Sequence, residues 1–233
     1  MEAEATPFIE KYHVEKVENF FNPLPCILYK KDLTADDTLY IVINGTQHGS
    51  SLVGCEAASI TALKAIEMLQ PDLVINSGTC GAFKKNGADI GHVYIGNAVM
   101  FHDRRVMGDD EWGTQALGNY KLWSESAKIA EALNMKMGKV TTGSSLDIQP
   151  CDLEIIEENK GELKDMEAAA VAFVCSLLNT PCLLIKSVTD LIDGGENTLE
   201  EFRKNLSLAS SELSKKNIML VEHLLANNYF KKS

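Results

Sequence analysis

Two uninterrupted apolar runs, Leu73-Val74-Ile75 and Cys182-Leu183-Leu184-Ile185, set the tightest limit on how this chain can fold. A strand that is apolar at every position offers no face to water, so helices must cover both sides of the sheet that holds it. Helix-spaced apolar positions supply that cover at residues 5–22, 52–69, 121–134, 151–159, 167–178 and 198–225. Further strands are expected at 93–101 and 139–142, the second buried run is read as a strand over 182–188, and residues 26–30 and 39–43 form a hairpin around a polar turn. The pattern predicts an α/β fold of three layers, a mixed central β-sheet flanked by helices. Residues 103–119 are the longest stretch without a regular pattern. Asn76-Ser77-Gly78-Thr79-Cys80-Gly81 follows the first apolar run and reads as a glycine turn at a strand's carboxyl end, a junction where ligand sites are built.

Residues 1–233 are expected to form one domain, because no low-complexity tract, repeat or Pro/Gly-rich linker divides them. The net charge of −11 repels phosphate backbones and anionic bilayers, so nucleic acid and membrane surfaces are poor partners. Cys26, Cys55, Cys80, Cys151, Cys175 and Cys182 are irregularly spaced and read as free thiols. None has a Cys or His partner at metal-ligand spacing, so neither a metal nor another cofactor is expected. The first residues lack a signal-peptide pattern, and no apolar run is long enough to span a bilayer; a cytoplasmic protein is expected.

Chemistry is suggested by two carboxylates set beside apolar runs, Glu167 in Lys164-Asp165-Met166-Glu167 and Asp190 in Lys186-Ser187-Val188-Thr189-Asp190. A carboxylate at the mouth of a buried strand is costly unless it is hydrogen-bonded or protonated, so its presence there needs a reason. For Glu167 the competing reading is a residue that serves only the amino-terminal end of its helix. Asp190 has the parallel alternative of a turn or N-cap residue after its strand. Glycines 78 and 81 either let backbone amides approach a ligand or only make a tight turn.

In order and as a set, Met1 through Glu4, Gly78-Thr79-Cys80-Gly81, Met166-Glu167 and Thr189-Asp190 resemble the 5'-methylthioadenosine/S-adenosylhomocysteine nucleosidases. The similarity covers nearly the whole chain. It is closest to the plant-type members, which share a lysine before the Thr-Asp pair and a Leu-Asp after the Gly143 turn. The resemblance implies a nucleoside phosphorylase-like fold and a homodimer in which a partner loop, here His102 to Met107, closes each site. It implies hydrolysis of 5'-methylthioadenosine, with S-adenosylhomocysteine as a further substrate, releasing adenine and the 5-thioribose for methionine salvage. Asp190 is then the acid at adenine N7, Glu167 holds the ribose hydroxyls and Glu4 positions the water. Thr79, Cys80 and Gly81 lie beside the nucleoside, Leu146 and Asp147 flank the purine, and Met166 and Thr189 adjoin the two acids. Leu199 faces the alkylthio group, the competing reading being helix core.

Family members carry an apolar strand ahead of the Met-x-x-Glu segment, and here Met1 is the first residue. The expectation is a fold lacking the family's first strand, with Glu4 tethered on one side, an α-amino group close to it, and slower hydrolysis than with that strand restored. A purine nucleoside phosphorylase would need arginines around phosphate, and the paired arginines are Arg104 and Arg105. The third alternative is a non-catalytic nucleoside-binding protein, against which the presence of Glu4, Glu167 and Asp190 argues.

Overall fold

The computed structural model describes residues 1–105 and 111–230. The chain opens with α1 (Glu2–Tyr12), then β1 (Glu15–Val17), β2 (Ile27–Asp32), β3 (Thr38–Ile43), the short β4 (Thr46–Gln47) and β5 (Ser50–Ser51), and α2 (Cys55–Leu69). It continues through β6 (Val74–Ala82), β7 (Val93–Phe101), α3 (Glu111–Leu117), α4 (Ser126–Ala132), β8 (Lys136–Thr142) and α5 (Pro150–Glu158). It ends with β9 (Leu163–Asp165), α6 (Ala168–Leu177), β10 (Cys182–Leu191) and the long α7 (Thr198–Ala226).

The mixed central sheet closes on itself in the order β10-β6-β9-β8-β7. β6 and β8 run parallel to β10 and β7 respectively, and an antiparallel β10–β7 pairing completes the circuit. β10 is buried on both faces, with successive side chains pointing to opposite sides. Leu184 and Val188 pack with Ala62 and Ile66 of α2 and Ala169 and Ala172 of α6. Leu183 and Ile185 point the other way, against Ile129 of α4 and Leu213 and Leu220 of α7. An apolar run without alternation is satisfied only by this double cover.

Three expectations need correction. Residues 5–22 are not one helix: α1 stops at Tyr12, His13 takes a left-handed cap at φ 50°, and β1 pairs antiparallel with β2. Strand pairing outweighs helical spacing across Val14 and Val17, β-branched residues that suit a ladder. Ser77-Gly78-Thr79-Cys80-Gly81 is not a turn, because β6 continues through it in register with residues 185–190 of β10. Residues 103–119 are not wholly irregular, since α3 lies within them.

On its second flank β6 meets β9 only at Gly81 and Ala82. Beside the earlier part of β6 lies a cavity of about 580 Å³, bounded by β3, α2 and the carboxyl end of α7. Among the described residues no helix is long and apolar enough to cross a membrane.

Candidate active site

The site is built around the last residues of β6. Glu4, carried by α1, accepts two hydrogen bonds from Thr79 on one oxygen, from the backbone N at 2.8 Å and from Oγ1 at 2.6 Å. Its other oxygen meets the Met1 ammonium. Burial pulls its pKa up, but the ammonium and the Thr79 donors outweigh that and hold it below the ordinary carboxylate value.

Two residues further along β6, the ideal Cβ position of Gly81 lies 2.5 Å from Asp190 Oδ2. Any side chain there would take the space that Asp190 occupies. The register between β10 and β6 shifts between Val188 and Asp190, which brings Asp190 opposite Gly81. Asp190 is therefore a strand residue at an irregularity, not a turn or N-cap. It is buried, and Thr189 Oγ1 stands 2.7 Å from its Oδ1. Burial and the Glu201 charge raise its pKa above the usual Asp value, against the opposing pull of Thr189 and the Lys164 charge.

Glu167 precedes α6 but does not cap it with its side chain. Its Oε1 accepts instead from Gly54 N at 2.8 Å, at the start of α2. The helix end is served by Asp165, whose Oδ2 accepts from Ala168 N at 2.8 Å. The capping reading of Glu167 is thereby set aside. Burial, with the Asp165 charge, raises its pKa, while Lys186 and the Gly54 N–H oppose that shift.

Sequence reasoning assigned no role to Lys186, which is central. Its side chain is 2% exposed and its Nζ stands 2.8 Å from Asp165 Oδ2. The ideal Cβ of Gly78 lies 3.5 Å from this Nζ and 3.4 Å from Glu4 Oε1, so the ammonium and Glu4 stand over the same flank of β6. Burial lowers the Lys186 pKa, and the charges of Asp165, Glu167 and Glu4 more than reverse it. The signal was available: a lysine inside a fully apolar strand is tolerated only with partners.

The remaining expected residues are distributed unevenly. Cys80 is buried on β6 within the fields of Lys186, Asp165, Asp190 and Glu4, with its thiol pushed up chiefly by burial. Met166 is half-buried, and its carbonyl accepts from Cys55 Sγ at 3.4 Å. Leu146 and Asp147 follow β8; the Leu146 carbonyl is held by Lys164, and Asp147 accepts from Gln149 Nε2 at 2.8 Å. Leu199 is 40% exposed on the first turn of α7, which removes the helix-core reading. Arg105 pairs with Asp152 at 2.9 Å and Arg104 stacks on Phe101, so both arginines have partners within the chain. Of the loop from His102, Val106 and Met107 lie outside the described residues.

Glu4, Glu167 and Lys186 line the inner end of the large cavity, whereas Asp190 lies off it, beyond Thr79 and Cys80. One group of charges thus stands at Gly78 and Thr79 and the other at Gly81. An anion that only accepts hydrogen bonds and a carboxyl inclined to keep its proton are joined through three residues of one strand.

Comparison with known proteins gives the arrangement a context. The model of the phosphorylase superfamily matches residues 1–224. A 5'-methylthioadenosine nucleosidase of Arabidopsis thaliana is 38% identical over 217 residues, covering 91% of this chain and 80% of the relative. A 5'-methylthioadenosine/S-adenosylhomocysteine nucleosidase of the same plant is 38% identical over 218 residues, covering 91% and 84%. The solved apo structure of Arabidopsis thaliana 5'-methylthioadenosine nucleosidase superposes with a TM-score of 0.92 at 36% identity, over 96% of this chain and 92% of that one.

Proposed function

The chain belongs to the phosphorylase superfamily, and on that premise we propose that it hydrolyses the N-glycosidic bond of 5'-methylthioadenosine, releasing adenine and the 5-thioribose for methionine salvage. Methylthioadenosine is the substrate common to the names of both Arabidopsis relatives. The observation that carries the reading is the divergence of two carboxyl groups set against Thr79 and Gly81 of β6, Glu4 of α1 held low and Asp190 of β10 raised. Groups whose environments push their proton affinities apart are suited to base and acid roles.

In this mechanism Asp190 gives its proton to adenine N7 as the bond between N9 and C1' breaks, so the base leaves neutral. Glu167 accepts from the ribose hydroxyls and steadies the positive charge that grows on the sugar. Glu4 takes the proton of the water whose oxygen bonds to C1', and Lys186 favours the charged form of Glu167. Thr79, Cys80, Gly81 and Met166 frame the nucleoside, Leu146 and Asp147 the purine, and Leu199 the alkylthio end. The engagement of Arg104 and Arg105 within the chain favours water over phosphate as acceptor.

The reading extends to a cytoplasmic, single-domain homodimer. Ile60 and Leu63 of α2 and Phe173 and Leu177 of α6 are exposed on two helices that pack together, an apolar surface of the kind that subunit contacts cover. α2, which carries half of this surface, starts after Gly54, the residue that holds Glu167.

The test is adenine release from methylthioadenosine and S-adenosylhomocysteine, with ribose and ribose-1-phosphate products distinguished in the presence of phosphate. Asp190→Asn is expected to bind methylthioadenosine while losing roughly 100-fold or more in turnover, the scale of general-acid catalysis. Release of adenine by this variant at the wild-type rate removes the acid role. Protection of the unsubstituted protein by methylthioadenosine without any adenine release supports the binding-only alternative.

A further inference from the structure

Lys164 is the buried cation for which the mechanism above has no use. It is 7% exposed, and its Nζ donates to two backbone carbonyls, Ser145 O at 2.7 Å and Leu146 O at 3.0 Å. Those carbonyls belong to the segment after β8 that frames the purine in the proposed reading. On β9, Lys164 stands directly opposite Gly81 of the antiparallel β6. Residues opposite one another in such a pair project to the same face. The Cβ direction of Gly81 runs to Asp190 Oδ2, so the Lys164 side chain leaves the sheet on the side that holds the Asp190 carboxyl.

We propose that Lys164 is a positioning residue for departure of the base: its ammonium fixes the 145–146 carbonyls around the purine and shares the Gly81 face of the sheet with the carboxyl of Asp190. The inference rests on the assignment of Asp190 as the acid. It goes further by making one side chain responsible for both the seating of the purine and the pH at which the acid gives up its proton.

The electrostatics agree with the geometry. Two charged groups act on Asp190 from packed elements, Glu201 of α7, which favours the protonated carboxyl, and Lys164 of β9, which favours the carboxylate. Lys164 itself is depressed chiefly by burial and supported by Asp190, Asp165, Asp147 and Asp152. His102, buried nearby, feels the Lys164 charge as well. Activity requires protonated Asp190, so it falls as pH rises through the pKa of that group. A neighbouring cation lowers this pKa, so removing it moves the alkaline limb to higher pH.

The experiment measures kcat/KM for methylthioadenosine from pH 5 to 10 in the unsubstituted protein and in Lys164→Gln, Lys164→Met and Lys164→Arg, with Asp190→Asn alongside. The limb is expected to move to higher pH in both neutral variants, with KM raised several-fold, and to return in Lys164→Arg. An unmoved limb in the neutral variants, while Asp190→Asn is inactive, overturns the role of Lys164 and leaves the acid standing. Full activity in Asp190→Asn overturns the acid and this inference together. If neither neutral variant folds, Lys164→Arg decides. Its fixed charge keeps the limb, but its planar fork cannot repeat both carbonyl contacts, so KM must rise at least roughly threefold. An unchanged KM overturns the proposal.

Discussion

Replacement of Lys186 by methionine isolates the electrostatic centre of the fold, because the two side chains are similar in length and only one carries charge. The ammonium stands 2.8 Å from Asp165, and both side chains are almost fully sheltered from water. Removing one partner of a buried pair leaves the other charge uncompensated, a loss of about 3–5 kcal/mol. For a chain of this size each kcal/mol corresponds to about 2–4 °C, so Tm should fall by roughly 6–20 °C at pH 8. The direction with pH follows from Glu167, whose folded pKa already lies above the ordinary value and loses its supporting cation in the variant. A carboxyl with a raised folded pKa contributes stability that is present below its unfolded pKa and lost as pH rises through the folded one. The deficit should therefore shrink between pH 8 and pH 5. Differential scanning calorimetry of Lys186→Met, Asp165→Asn and the double variant measures both the loss and the coupling, and the double variant should be less destabilised than the sum of the singles. A Tm within 2 °C of the unsubstituted protein at pH 8, or strict additivity, would refute the reasoning.

Two other perturbations test separate parts of the structure. Gly81→Ala places a methyl group 2.5 Å from Asp190 Oδ2 and 3.2 Å from Ile192 Cγ1, so kcat should drop by roughly 100-fold as the carboxyl is displaced; steady-state kinetics within threefold of the unsubstituted protein would show that the contact is relieved harmlessly. Leu177→Asp on the exposed face of α6 should leave Tm of the isolated chain almost unchanged and convert the proposed dimer to monomer in sedimentation velocity, whereas an unaltered oligomer places the subunit contact elsewhere.

Much of the fold was legible because burial leaves a pattern in one dimension. The hairpin of β2 and β3, α2, β7, α6, β10 and α7 lie close to where spacing put them. Short-range cues failed where pairing partners were distant. Gly78 and Gly81 spell a turn by composition, yet β10 supplies a ladder partner for every residue from Val74 to Cys80, and the ladder wins. The helical spacing of residues 5–22 likewise yields once β2 offers an edge to Glu15–Val17.

The site divides along the same line. Glu4, Glu167 and Asp190 could be nominated from local motifs, and so could the need for cover on both faces of β10. What they touch could not. Glu167 finds Gly54 and Glu4 finds Thr79 across 113 and 75 residues of chain, and no local pattern encodes such separations. Lys164 and Lys186 had no assigned role in the sequence; folding sets carbonyls around one and carboxylates around the other. Hydrophobic periodicity is carried residue by residue, so the sequence alone determines which surfaces must be buried. The proton affinity of a carboxyl depends on the charges and dipoles that arrive from elsewhere, and only tertiary structure decides which those are.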